Sequence, residues 1–562
     1  MSCGATALTG VTPASAHGGP MVPVIVRGAG AGCSTVVAED VAAVGGRAGL
    51  RLDILDGESA LVPLASIAAL ASAPCVAEVT PDGRMAPESI GTYDPTTDVG
   101  SLYNTTTMIG AQTAWSKNYT GNKIGVAVID TGVAPVAGLN GTGKVINGAD
   151  LSFDSQSSLL TRNDEYGHGT HMAGIIAGRD TAAVTGKYVG DTSNFLGVAP
   201  DAHILNVKVG DEQGVTDVSQ VIAAIDWVMQ HRNDNSMNTK VINLSYGTLS
   251  GQAYTLDPLA YATEVAWRNG MVVVASAGNQ GGVQTGLNDP AYDPFVIAVG
   301  AADTQNTVSI TDDTVASFSS VGSGTRNPDL VVPGVHITSL RDLGSNLDVQ
   351  FGSTAGVGTR FFKGSGTSQA AAVMSGAVAL YLSAHATATP DQVKAAFTST
   401  ATKLTGPSTA AQGAGEINVA KAIGVVPTTK QTFTASTGTG TLENARGGQH
   451  VISSRNAIAL VGEKDTLGKT WTSSTMATSE NKLAAWSGGT FNGAAWSGAA
   501  WSGGSWAGAA WSGSTWTGAA WSGAGWANTQ WTGSGWMGAA WSGAAWSNGI
   551  WVGSGWADYT WG

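Results

Sequence analysis

The sequence predicts an α/β fold organised on a parallel sheet with helices on both faces, and three observations carry that prediction. Between residues 100 and 426, apolar strand-like runs alternate with longer segments of helical periodicity, the order in which a parallel sheet and its covering helices are laid down. The runs "KIGVAVID", "KVINLSYG" and "MVVVASAGN" are unbroken rather than alternating, as strands buried on both faces require. Polar residues close these runs, Asp130 and Asn279 among them. In open α/β sheets, ligands and chemistry sit outside the carboxyl ends of the strands.

The chain of 562 residues is too long for one ordinary domain. Residues 1–20 read as a signal-like leader: Ala14-Ser15-Ala16 fits a cleavage site, but no basic segment precedes the apolar centre, so either the true start lies upstream or the leader is disordered. Residues 22–90 mix short β-rich runs such as "PVIVR" and "RLDIL" with the apolar "LVPLASIAALASAPC", which predicts a small α+β unit. The three cysteines, Cys3, Cys33 and Cys75, all lie in this front part. Cys33 and Cys75 either pair, in an exported chain, or stay as buried thiols.

In the larger region, "DVSQVIAAIDWVMQHR" places Val221, Ile222, Ile225, Val228 and Met229 at helical spacing. "LAYATEVAWRNG" does the same, with Gly270 where a left-handed C-cap releases the chain into the next strand. The stretch "YGHGTHMAGIIAG" offers His168 and His171 three apart at a helix start. Together they suit a metal, although zinc ordinarily takes a third protein ligand. Alternatively His168, with glycine on both sides, is a general base and His171 packs structurally. Ser368 stands in "GSGTSQAAAVMSG", ahead of an alanine-rich helix whose N-terminus offers N–H dipoles to an oxyanion. Either Ser368 is a nucleophile, which needs a base to take its proton, or Ser368 or Thr367 caps the helix. Asp130 likewise either caps a turn with Thr131 and Gly132 or orients a base.

Taken together, "VAVIDTGV", "GHGTHMAG", "VINLSYG", "VVVASAGN" and "GTSQAAA", in that order, resemble the subtilisin-like serine proteases, the subtilases, whose triad runs Asp, His, Ser along the chain. The resemblance implies a secreted serine endopeptidase in which Asp130 orients His168, His168 exchanges the proton of Ser368, and Asn279 is the side-chain donor of the oxyanion hole. It further implies that a peptide substrate adds as a strand between Gly214, Val215 and Thr216 on one side and Ser245, Tyr246 and Gly247 on the other. Ser276, Ala277 and Gly278 would then line an uncharged primary specificity pocket, and Tyr246 would narrow a neighbouring subsite. One departure is that Gln369, Ala370, Ala371 and Ala372 stand where the family has Met-Ala-Ala-Pro.

No cofactor is implied for the chemistry. Structural calcium is frequent in the family, but "GRDTAAVTGKYVGDTSNFLGVAP" gives no placeable ligands, so the metal residues stay unknown. Residues 22–90 resemble the family's propeptide, a ferredoxin-like unit that acts as an intramolecular inhibitor and makes the protein a zymogen, with self-cleavage near residues 84–95.

After the catalytic region of 100–426, residues 427–480 read as a linker and small mixed segment, and residues 484–562 as a repeat tail. From Trp486 to Trp561 a tryptophan falls at every fifth position, with Phe491 standing in at one. A glycine in most units argues against a helix, and a strand–turn rung stacked as a β-solenoid accounts for the period. The rings then form an internal ladder, or contact cell-wall polysaccharide through flat aromatic faces, or self-associate. Similar Trp-Ser-Gly tails occur on some actinobacterial subtilases.

The formal charge of −13 argues against a nucleic-acid partner. No apolar run of transmembrane length is present. Two functions from different classes stand: an extracellular zymogen protease localised by its tail, and an envelope or adhesion protein on a subtilase scaffold that has lost activity.

Overall fold

The computed structural model describes residues 21–30, 33–52, 56–82, 93–156, 160–234, 237–282, 286–452, 459–487, 489–495 and 550–552. The leader, the self-cleavage region around 84–92 and most of the repeat tail lie outside these described residues. The chain divides into two compact units, residues 1–92 and 93–562.

The first unit holds strands β1 (Met21–Gly28), β2 (Arg47–Leu52), β3 (Gly57–Pro63) and β4 (Val76–Pro81), with a helix Ser34–Ala43 after β1 and a short one, Ile67–Leu70, before β4. The antiparallel sheet order is β2-β3-β1-β4, a split β-α-β arrangement. Its core is small: Val24, Val26, Val37, Val41, Val62 and Leu70 pack together. Cys33 and Cys75, 42 residues apart, form a disulfide with Cα atoms 5.2 Å apart. A staple suits a unit too small to bury much apolar surface, and it resolves the two cysteine readings in favour of pairing.

The second unit is built on eight strands: β5 (Gly125–Asp130), β6 (Val145–Asp150), β7 (His203–Lys208), β8 (Thr239–Leu244), β9 (Val272–Ser276), β10 (Ile297–Asp303), β11 (Thr314–Val315) and β12 (Leu330–Pro333). The order is β11-β10-β9-β8-β5-β7-β6, with β12 also beside β10. All pairings are parallel except β10 with β11. The central strand β5 is buried along its whole length, as its unbroken apolar run requires.

Register decides where the chain leaves the sheet. Ile129 lies level with Leu244, and Leu244 with Ala275. Asp130, Ser245 and Ser276 therefore close three neighbouring strands at one end. Helix Val218–His231 starts with a capping box between Asp217 and Gln220. Helix Pro258–Arg268 has Asp257 as its cap and proline at its first position, and it ends before Gly270 at φ 86°. Helix Thr367–Ala384 is buried from Thr367 to Leu382 and packs on β8, β9 and β10. Among the described residues no helix is long and apolar enough to cross a membrane.

Helices of the stretch read as a linker and small mixed segment pack on the helices that flank the large sheet. Helix Ser473–Asn481 lies on helix Pro258–Arg268, and Tyr261 donates its hydroxyl to the Ala477 carbonyl at 3.1 Å. The first tail units continue this packing. Trp486 donates its indole N–H to the Ala223 carbonyl at 2.9 Å, and Phe491 is fully buried with its ring 5.1 Å from that of Trp486. Trp486–Ser487, Thr490–Phe491 and Ala494–Ala495 form three short antiparallel strands. Asn492 and Gly493 both have positive φ, 51° and 68°, the conformation that closes a two-residue hairpin.

Candidate active site

Asp130, the last residue of β5, is fully buried. Its Oδ1 accepts the Thr131 N–H at 2.8 Å and lies 2.8 Å from His168 Nδ1. An ionised carboxylate can only accept, so the ring proton sits on Nδ1 and Nε2 carries the lone pair.

His168 opens helix His168–Ala177, and local sequence explains how its ring reaches β5. Gly167 has φ 102°, a left-handed conformation that favours glycine. A side chain at Gly169 would meet the Gly132 carbonyl at 2.2 Å and Asp130 Oδ1 at 3.1 Å, so only glycine lets the helix start come this close. A second buried carboxylate, Asp164, ties the elements together. It accepts the Thr131 hydroxyl, the Gly167 N–H and the Thr170 N–H, each at 2.7 Å. Thr131 in turn accepts the Gly169 N–H at 2.9 Å.

Ser368 is the second residue of helix Thr367–Ala384 and is 2% exposed. The N-cap position is Gly366, which makes no side-chain cap bond, and Thr367 and Ser368 lie inside the helix, so neither caps it. Both hydroxyls are committed elsewhere. The Ser368 hydroxyl donates to the Ser245 carbonyl at 3.3 Å. Thr367 Oγ1 donates to Asn279 Oδ1 at 2.9 Å, the Thr367 N–H donates to the same oxygen at 3.0 Å, and Thr367 Oγ1 accepts the Gly278 N–H at 3.2 Å. With its oxygen held twice, the Asn279 amide has one orientation, and its Nδ2 faces away from Thr367.

Of the three stretches expected to meet a substrate, Ser245–Gly247 and Ser276–Gly278 sit at the ends of β8 and β9, and Gly214–Thr216 lies in the connection from β7 to helix Val218–His231. In Gly214–Thr216 the N–H groups of Gly214 and Val215 are engaged by the Asp211 carbonyl at 2.9 Å and the Asp211 carboxyl at 2.8 Å. This edge therefore offers an incoming peptide fewer donors than an open strand would. Burial, then the Asp154 carboxyl, pushes Asp211 up to about 8. Tyr246 turns inward, 3% exposed, with its hydroxyl close under Gly210. Gly278 has φ 109°, and a side chain there would strike Gln280 and Asn288. Ser276 and Ala277 are buried beside it.

His171 points away from this cluster. Its Nε2 donates to the Phe362 carbonyl at 3.0 Å, and burial pushes its pKa down to about 3, so the ring stays neutral. The two histidines are thus directed to different partners, and among the described residues no group of three or more His, Cys, Asp or Glu side chains could hold a metal ion. In the loop after helix His168–Ala177, Asp180 is paired with Arg360, Asp201 with Arg179 and the Tyr188 hydroxyl, and Asp191 accepts the Ser193 N–H, the Asn194 N–H and the Asn194 side-chain amide. Gln369 is fully buried, and among the described residues neither of its amide atoms has a hydrogen-bond partner.

Sequence reasoning picked out Asp130, His168, Asn279 and Ser368 but not Asp164, nor Thr367 as the group that orients Asn279. Both lie close in sequence to residues it did pick out, Asp164 four before His168 and Thr367 beside Ser368, but the partners through which they act are 33 and 88 residues away.

The comparisons with known proteins come to the same region. The model of the subtilase family matches residues 121–416. Serine protease AprX of Bacillus subtilis strain 168 is 36% identical over 312 residues, covering 54% of this chain and 67% of the relative. Subtilisin DY of Bacillus licheniformis is 34% identical over 299 residues, covering 53% and 90%. Minor extracellular protease Epr of Bacillus subtilis strain 168 is 31% identical over 231 residues, covering 41% and 30%.

Proposed function

Because the chain belongs to the subtilase family and is a serine endopeptidase, we propose that it cleaves peptide bonds through Ser368, His168 and Asp130. The observation that carries this reading is the 2.8 Å contact between His168 Nδ1 and Asp130 Oδ1. It fixes the tautomer in which Nε2 is a base, something a merely capping Asp130 would not do.

Ser368 Oγ bonds to the substrate carbonyl carbon while its proton passes to His168 Nε2. Asp130 stabilises the imidazolium that results. The carbonyl oxygen, now an oxyanion, takes hydrogen bonds from Asn279 Nδ2 and the Ser368 N–H. As the peptide C–N bond breaks, the imidazolium returns its proton to the departing amine. Water then attacks the acyl-enzyme by the same route in reverse, releasing acid and free Ser368. The substrate lies extended against Ser245–Gly247 and Gly214–Thr216, with its cleaved-side residue in the slot of Ser276, Ala277 and Gly278. These small uncharged walls favour an uncharged residue over a cation. The chemistry uses side chains and backbone alone, and a structural calcium is given no ligands.

Residues 22–90 are assigned as a propeptide that assists folding and inhibits the enzyme until cut, so the protein is made as a zymogen. Secretion agrees with the disulfide in that unit and with the extracellular relative. The Trp-rich tail is assigned a localising role, through polysaccharide stacking or self-association.

Expressing the chain from Met21 and following its N-terminus by intact mass, beside Ser368→Ala, tests the core of this reading. Loss of the residues before about 95 in the parent alone is the expected result, since removing a triad nucleophile costs about a millionfold in turnover. Two full-length proteins would instead favour the impaired adhesion scaffold.

A further inference from the structure

Both stretches expected to pair with a substrate are continued by a residue bonded to one short helix, Leu442–Arg446, which lies beyond the residues matched by the family model. Gly214–Thr216 runs into Asp217, whose carboxylate receives Arg446 Nε at 2.7 Å and Arg446 Nη2 at 3.4 Å. Ser245–Gly247 runs into Thr248, whose hydroxyl donates to the Ala445 carbonyl. A few residues further on, the Gly251 N–H donates to the Asn444 carbonyl at 2.9 Å.

The contact is built rather than incidental. Arg446 and Asp217 are both fully buried, and the remaining Arg446 donors reach the Gly462 carbonyl at 2.8 Å and the Lys464 carbonyl at 2.6 Å. A planar, five-donor guanidinium committed in this way cannot shift without leaving a buried carboxylate unpaired. Val215, in the middle of the first edge, packs with Phe153 and with Val451 and Leu460 of the same later segment. On the second edge, a side chain at Gly447 would meet the Leu249 carbonyl at 1.9 Å, so the backbones there are in direct contact. Asp217 also caps helix Val218–His231 through Ser219, and the Thr466 N–H reaches the Ser219 hydroxyl at 3.3 Å.

We propose that residues 441–452 and 459–467 form a clamp that sets the spacing of the two backbone edges between which an extended peptide is held, with Arg446 as its positioning residue. The proposal rests on the peptidase reading above. A peptide inserted between two edges gains hydrogen bonds from both only if their separation is held to within a few tenths of an ångström of the paired geometry. The clamp supplies that constraint from outside the family domain. Its effect therefore grows with the number of substrate residues that enter the groove, and vanishes for a substrate too short to touch both edges.

The test uses the full chain with Arg446→Lys and Thr248→Val, assayed on two p-nitroanilides that share the residue at the cleaved bond, one a single blocked residue and the other a tetrapeptide. We expect kcat/KM on the tetrapeptide to fall about tenfold, mainly through KM, while the single-residue substrate changes by less than about twofold. Equal losses on both substrates, or no loss on either, overturn the clamp. Thr248→Val removes a single hydroxyl, so it keeps the test open if the Arg446 variant folds poorly. Labelling with phenylmethylsulfonyl fluoride, read by intact mass, separates the two readings: a parent that takes no label at Ser368 sinks the peptidase assignment. Hydrogen exchange judges the clamp independently, because both variants should speed exchange in 211–219 and 245–251 together. Faster exchange in only one of the two edges also overturns it.

Discussion

Buried carboxyl groups are handled in opposite ways at the catalytic end of the sheet and on the flank where the C-terminal segment docks. At the catalytic end they face donors: Asp130 receives Thr131 and lies against His168, and Asp164 receives Thr131, Gly167 and Thr170. On the flank they face each other. Asp226 of helix Val218–His231 and Glu480 of helix Ser473–Asn481 are 2% and 1% exposed. Burial pushes both carboxyls well above their ordinary range, and the Asp226 charge raises Glu480 further. Donors favour the charged form of a buried acid, and their absence favours the neutral form. At Asp164 burial raises the carboxyl while the bonds from Thr170, Thr131 and Gly167 oppose that rise, an opposition absent from the causes that raise Asp226 and Glu480.

If donor-ringed carboxylates are what make the catalytic end work, removing Asp164 should hurt although it touches no substrate. Asp164→Ala leaves the Gly167 and Thr170 N–H groups and the Thr131 hydroxyl without their acceptor, each at a cost of about 1–3 kcal/mol when buried. Because those groups set where helix His168–Ala177 begins, we expect kcat to fall about a hundredfold with KM little changed. Asp164→Asn should recover part of the loss. An Asp164→Ala enzyme with undiminished kcat would break the comparison, since the ring of donors would then be structural only.

Thr367 sharpens the same point with a smaller change. Its hydroxyl accepts from Gly278 and donates to Asn279 Oδ1, so Thr367→Val leaves the amide held by one N–H. Loss of a whole oxyanion donor costs about a hundred- to a thousandfold, and loosening one should cost about tenfold in kcat. Thr367→Ser should restore it. If KM moves instead, Thr367 shapes the specificity pocket rather than the oxyanion hole.

These two residues mark where the sequence stops being legible. Asp130 and Asn279 end apolar runs, His168 sits between glycines and Ser368 follows the glycine-bearing "GSGT", and that placement is visible in the letters. The strands around them were equally plain: "GVAVID" is β5, and Gly270 does take the positive φ assigned to it. Asp164 and Thr367 act through partners 33 and 88 residues away, and nothing in a local window distinguishes such a Thr from a helix cap. The segment after 426 was harder still. Its helices are short, its apolar residues scattered, and its burial comes from outer faces of helices Val218–His231 and Pro258–Arg268. A linker and a docked segment look alike until those faces are known. Trp486 and Phe491 show the same limit, since the five-residue period says that rings recur but not that the first two are buried against the peptidase.

The flank gives the smallest effect and the cleanest sign. Asp226 and Glu480 have ordinary values of 3.8 and 4.5 and are raised in the folded chain, so folding binds protons there that the unfolded chain releases. Their contribution is fully present below about pH 4 and is lost as the pH climbs toward the raised values. Glu480→Gln keeps the shape and cannot ionise. At about pH 8 the variant should melt roughly 1 °C higher than the parent for each 1 kcal/mol gained, because the unfolding entropy grows with chain length at about 2.1 cal/mol/K per residue. At about pH 4, where the parent pair is already protonated, the two should melt together or the variant slightly lower. Differential scanning fluorimetry across that range reads the difference directly. A gap that does not widen with pH would mean that Asp226 and Glu480 find donors in solution after all, and the contrast between the two ends of the molecule would reduce to one of position.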